Sequence, residues 1–228
     1  FIELYNIISL FSLIYFRNLL YNIVKYVSKS GVSMNINTTY TKIITGEDLM
    51  ETAQHGSTLY PFQFYYEDLS VFDFNCIEWH WHTELEFIYI ESGTVTLWIG
   101  EDQFHLTEGN GVFINTKVLH RLYSPSKALI PNFVFMPSFI APCDSLIYQK
   151  YILPIISSSL PFLVFHKKVC WQAKVLSIMR QIISAQDSVL SKELLTSSLL
   201  QNLWLEIFEN TDISYQEEHK DHSTASQA

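Results

Sequence analysis

The run His80-Trp81-His82-Thr83-Glu84-Leu85-Glu86 concentrates imidazoles and carboxylates in one short stretch. On an extended strand alternate side chains share a face, so the even separations of 80, 82 and 86 bring two histidines and one glutamate together. Imidazole and carboxylate donors suit first-row metals such as Zn, Mn, Fe, Ni or Cu, and a pocket with three or four of them leaves room for water or a ligand. The same groups could instead hydrogen-bond a small molecule, or satisfy one another around trapped water. Trp79, Trp81, Leu85, Phe87 and Tyr89 fall on the other face, which predicts a strand covered on both sides. Buried imidazoles and the carboxylates of Glu84 and Glu86 then need partners, because an unpaired buried polar group is costly.

The elements that must hold this stretch read as β from about Leu59 to Met136. Runs at 62–66, 84–91, 94–100, 102–107, 111–115 and 132–136 are short and rich in aromatic or β-branched residues. Turn residues separate them, including Ser92-Gly93, Gly100-Glu101 and Glu108-Gly109-Asn110. Short strands at this spacing predict an antiparallel sandwich or barrel. No Gly-rich phosphate loop or βαβ pattern interrupts them.

With the strands in place, His80-x-His82-x3-Glu86-x6-Gly93 resembles the first motif of the cupin superfamily. The segment Gly109-Asn-Gly-Val-Phe-Ile-Asn115-Thr-Lys117-Val-Leu-His120 resembles the second. Asn110 stands where the pattern usually has Asp, Asn115 where it has Pro, and Lys117 where it has Gly. The resemblance implies a cupin-like antiparallel β-barrel (double-stranded β-helix or jelly roll), mainly β with α, followed by a C-terminal helical hairpin. It also implies that His80, His82, Glu86 and His120 bind a ligand or hold a divalent metal (Zn, Mn, Fe or Ni). Within cupins, the wording from His80 to Gly100 and from Leu106 to Ser124 is most similar to the sensing domain of AraC-type bacterial transcription regulators. That similarity implies a small polar effector, a sugar being one candidate, a homodimer formed through the helices, and DNA contact only through a separate helix-turn-helix domain.

Beyond Pro142 the period changes. Leu146, Tyr151 and Ile155 suggest a loose helical stretch, and Trp171, Val175, Ile178 and Ile182 recur at steps of four, three and four. A second helix is expected from about Leu190, with Leu195, Leu199, Leu203 and Ile207 on one ridge and Leu200, Trp204 and Phe208 on the next. So broad an apolar face must bury against the barrel, the first helix or a second chain. The expected division is an apolar N-terminal segment at 1–33, an arm and barrel at 34–142, a helical dimerisation region at 143–209 and a polar linker at 210–228.

Composition narrows the function classes. The sequence has 14 Lys+Arg against 23 Asp+Glu, a formal charge of −9, so it offers no general positive field for nucleic acid. It is 48% hydrophobic with only 7 Gly and 7 Pro, enough apolar material for a folded core. Cys76, Cys143 and Cys170 are odd in number and widely spaced, which fits unpaired thiols in a reducing, cytoplasmic setting. The segment 1–33 is apolar, but Asn6, Arg17, Asn18, Asn22 and Lys25 break it below the roughly 20 apolar residues that a span requires. It is expected to precede the folded part as a non-native or surface-lying segment. Three functions remain: a sensor in which effector occupancy changes the packing of the arm at 34–60, a metal-dependent cupin enzyme (an isomerase or dioxygenase), or a dimerisation fragment that binds nothing.

Overall fold

A computed structural model of the chain describes residues 36–37, 40–188 and 190–211. The expectations for the segment 1–33 and for most of the linker at 210–228 lie outside the described residues. No helix among the described residues is long and apolar enough to cross a membrane.

Among the described residues, nine strands build two antiparallel sheets. In chain order they are β1 (Phe62–Asp68), β2 (Cys76–His80), β3 (Leu85–Tyr89), β4 (Thr94–Ile99), β5 (Asp102–Thr107), β6 (Gly111–Ile114), β7 (His120–Tyr123), β8 (Leu129–Phe135) and β9 (Phe162–Phe165). The five-stranded sheet runs β1-β8-β3-β6-β9 and the four-stranded sheet β2-β7-β4-β5. Two helices follow, α1 (Cys170–Ala185) and α2 (Lys192–Asn210). The mainly β, cupin-like barrel with a helical pair after it agrees with the sequence reading.

Three elements differ from expectation. The metal-motif stretch is not one continuous strand: β2 ends at His80 in the four-stranded sheet and β3 begins at Leu85 in the five-stranded one, with a corner between. The β2–β7 register also shifts between Ile77 and His80, an irregularity of the kind that bends a strand away from its partner. Glu84, expected buried, is half-buried beside Thr83 at this corner. Second, His120–Tyr123 forms a strand, because Leu122 alternates inward and pairs with Ile77 and Leu97 on its two neighbours. Third, within the region expected to be helical, Phe162–Phe165 pairs with β6 and completes the five-stranded sheet. Four consecutive apolar residues suit a strand edge packed on both sides better than a helix stripe.

The five-stranded sheet sorts its side chains by parity. Glu86 and Ile88 on β3, with Asn132 and Val134 on β8, face a cavity inside the barrel. Phe87, Phe133, Phe135 and Phe165 point outward into a stacked layer; Phe87 and Phe133 have centroids 5.3 Å apart at 14°. The helices cover that layer: Trp204 of α2 packs edge-on against Phe113, and Trp171 of α1 against Phe165. Gly111 lets α1 approach, since a Cβ there would lie 2.9 Å from Leu176 Cδ2 and 3.0 Å from the Ile88 carbonyl oxygen. Of the two apolar ridges predicted on α2, Leu200, Leu203, Trp204 and Ile207 are buried within the chain, whereas Leu195 and Leu199 reach the surface in part.

The arm folds back over the barrel. Thr45 bridges Glu51, Met50 bridges Trp81, and the Trp81 indole donates to the Asp48 carbonyl at 2.9 Å. These bonds tie the arm to the corner that carries His82.

Candidate ligand and metal site

Each of the four residues singled out in the sequence reaches the same point by a different route. His80 comes from the end of β2, His82 from the corner, Glu86 from β3 and His120 from the start of β7. One donor atom from each lies within 4.8 Å of all the others, and all four residues are buried. Among the described residues this is the only such group of His, Cys, Asp and Glu.

Backbone carbonyls set the orientation of the imidazoles. His80 Nδ1 is 2.9 Å from the Glu78 oxygen, His82 Nδ1 3.2 Å from that of Glu84, and His120 Nδ1 2.9 Å from that of Val118. A carbonyl only accepts, so in each neutral ring Nδ1 donates and Nε2 is left with its lone pair. This is the arrangement that fixes the tautomer of metal-ligating histidines.

Glu86 Oε2 lies 3.4 Å from His82 Nε2 and 3.1 Å from His120 Nε2. The His120 contact falls outside hydrogen-bond geometry, and His120 Nε2, wholly buried, has no hydrogen-bond partner. Burial opposes the Glu86 carboxylate, but His120 and His82 outweigh it and hold its pKa well below the usual range. Burial, then neighbouring His120, keeps the His80 pKa well below 6.5. Burial also opposes the charged form of His82, while Glu86 reverses that and raises its pKa. An ionised carboxylate, inward Nε2 lone pairs and an orphaned buried nitrogen together fit a divalent cation.

His80, His82 and Glu86 of this group line a cavity of about 290 Å³ whose walls come from the arm and both sheets. Leu122, Ile77, Ile88, Ile130 and Val134 supply an aliphatic wall. The arm contributes Tyr40, Glu51 and His55; His55 Nδ1 is 2.8 Å from the Tyr65 hydroxyl, and its ring centroid is 5.6 Å from that of His82. Glu67 accepts from the Tyr40 hydroxyl at 2.5 Å and from Asn132 Nδ2 at 3.2 Å. Glu67, Tyr65 and Asn132 were not singled out in the sequence. Their signal was a polar residue at an inward-facing position of an otherwise apolar strand.

The motif departures also have structural roles. Asn115 is buried and donates to the carbonyl oxygens of Ile155 and Leu160, at 3.1 and 2.9 Å, tying the barrel to the segment before β9. Lys117 takes the left-handed conformation, φ 61°, that glycine adopts more easily, and its amide donates to the His82 oxygen at 2.7 Å. The three cysteines are unpaired, Cys76 buried and Cys143 and Cys170 exposed.

Residues 76–130 match the cupin domain family. A curated relative, the uncharacterized HTH-type transcriptional regulator YdeC of Bacillus subtilis, is 24% identical over 143 residues, which is 61% of this chain and 48% of the relative. The chain thus spans about half the length of that protein. Among solved structures, ToxT from Vibrio cholerae overlaps 68% of this chain and 57% of its own at 14% identity and TM-score 0.47. A cupin-2 domain protein from Shewanella frigidimarina overlaps 36% of this chain and 81% of its own at 20% identity and TM-score 0.29. The chain carries a cupin-like domain related to a helix-turn-helix regulator.

Proposed function

We propose that this cupin-like domain is the cytoplasmic ligand-sensing and dimerisation part of an AraC-type transcription regulator. A small effector would enter the barrel cavity, and DNA would be contacted by a helix-turn-helix domain elsewhere in the protein. The observation that carries the reading is the shared cavity wall. Tyr40 and His55 of the arm and Glu67, Glu86 and Asn132 of the barrel line one space, so a molecule bound there touches both parts. Occupancy then has different interaction energy with the arm closed and with the arm released, which is what coupling requires.

His80, His82, Glu86 and His120 would hold a divalent ion at the cavity wall, where its chemistry would be Lewis-acid polarisation of a ligand oxygen or nitrogen. In the sensor such an ion orients the effector. In the alternative reading, favoured by the convergence of the four donors, the barrel is a metal-dependent isomerase or dioxygenase. The helices would pair two chains through the α2 surface left after intramolecular packing. Leu194 and Leu205 are 77% and 50% exposed and eleven residues apart, about three turns, hence on one face.

Hydrogen exchange tests the sensor. The Glu51 amide donates to the Trp81 oxygen and the Trp81 amide to the Leu49 oxygen, so both report arm closure. Screening metabolites, mono- and disaccharides included, should find one whose binding changes protection at these amides. A ligand that saturates the cavity and leaves both amides unchanged would refute the coupling. Elemental analysis of protein purified without chelators separates the readings: well under one metal per chain removes the enzyme.

A further inference from the structure

The cavity also holds a buried carboxyl group with no cationic partner. Glu67 is 5% exposed, and its two hydrogen bonds come from neutral donors, the Tyr40 hydroxyl and the Asn132 amide. Among the described residues no lysine, arginine or histidine pairs with it. Lys42 is the one lysine or arginine among the residues lining the cavity, and it is exposed. Burial, the largest influence on Glu67, pushes its carboxyl up to about 7, as expected of a buried acid lacking a cation.

A second observation points to a missing molecule. His55 is 6% exposed and lines the same space, and its Nε2 has no hydrogen-bond partner. Glu51 Oε2 is 3.4 Å away but out of hydrogen-bond geometry, and the other ring nitrogen is engaged with Tyr65. A buried imidazole nitrogen without a partner normally has one supplied by a ligand or water.

Along β8, Glu67 pairs with Ile130 and Glu86 with Val134, four residues further on, a rise of about 13 Å, and Asn132 stands midway between those two levels. The aliphatic side chains of Ile88, Ile130, Ile77 and Leu122 line the same cavity.

Resting on the sensor reading above, we propose that the effector is a small organic cation, with an ammonium or amidinium head held by Glu67 and a hydrocarbon body on the aliphatic wall. Tyr40 and Asn132 hold the carboxylate in place, and a positively charged head supplies the missing counter-ion. A carboxylate head beside Glu67 would meet Glu67 and Glu51, with only the exposed Lys42 among the lysines and arginines of the lining to attract it. A neutral alcohol would hydrogen-bond Glu67 but leave its charge unbalanced.

Isothermal titration of the full chain near neutral pH with two matched series tests this: hexylamine, hexanol and hexanoate; and phenethylamine, phenethyl alcohol and phenylacetate. The expected result is an amine Kd at least about tenfold below that of its alcohol in one series, with the acid weaker still. Glu67→Gln should reduce that preference to within about twofold, and added amine should displace no metal from the histidine group. An alcohol or acid that binds as tightly as its amine overturns the cation assignment and leaves the sensor standing. So does an amine preference that survives Glu67→Gln. Absence of binding by every member overturns the cation assignment; if the wider metabolite screen is empty too, the sensor falls with it. Should Glu67→Gln fail to fold, the wild-type charge series decides alone.

Discussion

Replacing Glu67 with glutamine should change the pH dependence of stability in a way that only its buried charge explains. The carboxyl's pKa is raised from 4.5 to about 7 when the chain folds. Below about pH 4.5 the acid is neutral in both states and costs nothing. As pH rises the unfolded chain releases its proton first, so folding is progressively penalised, and the penalty is complete above about pH 7. At about 1.4 kcal/mol per pH unit the whole interval is worth about 3 kcal/mol, most of it between about pH 5 and pH 8. Glutamine keeps the volume and an acceptor for Tyr40, but it turns an amide toward Asn132 Nδ2 and loses that bond, a cost of about 1 kcal/mol at any pH. Urea denaturation of both proteins, with chelator present, should therefore show the variant slightly weaker near pH 5 and about 2 kcal/mol stronger near pH 8. Titrations that do not sense Glu67 are common to both proteins and cancel in the difference. Parallel stability curves for the two proteins would refute the claim that Glu67 is buried without a counter-ion. A reversed slope would mean that its charge is compensated.

Four other outcomes follow from the geometry. His120→Ala or His82→Ala should lower divalent metal content, read by elemental analysis, by at least about tenfold, since each removes an inward nitrogen that a backbone carbonyl already orients. Trp204→Ala should cost about 3–5 kcal/mol in chemical denaturation, because the indole is buried, packs on Phe113 and donates to the Tyr151 oxygen at 2.8 Å. Lys117→Gly should raise stability by up to about 1 kcal/mol by relieving a left-handed backbone, less the entropy that glycine adds to the unfolded chain; a fall in Tm would contradict it. Leu194→Glu with Leu205→Glu should shift sedimentation from dimer to monomer without altering the melting of the isolated chain, and an unchanged sedimentation coefficient would exclude this face as the dimer contact.

Residue types and local spacing made part of this protein legible in its sequence. Alternation of aromatic and β-branched residues marked six of the nine strands, and a period near 3.6 marked both helices, because each pattern reports a face that must be buried. The residues of the histidine and glutamate group were legible by type and motif. The reason for their convergence was not: the even spacing implied one strand, whereas a corner between two sheets and a strand some forty residues later assemble the group. Phe162–Phe165 carries no local mark that distinguishes a strand from a buried helical turn, and its pairing with β6 decided it. Glu67 and Asn132 were invisible for the same physical reason. A polar residue in an apolar strand is costly or functional according to what lies across the barrel from it, and only the cross-strand register, the folded-back arm and the absence of a neighbouring cation determine which.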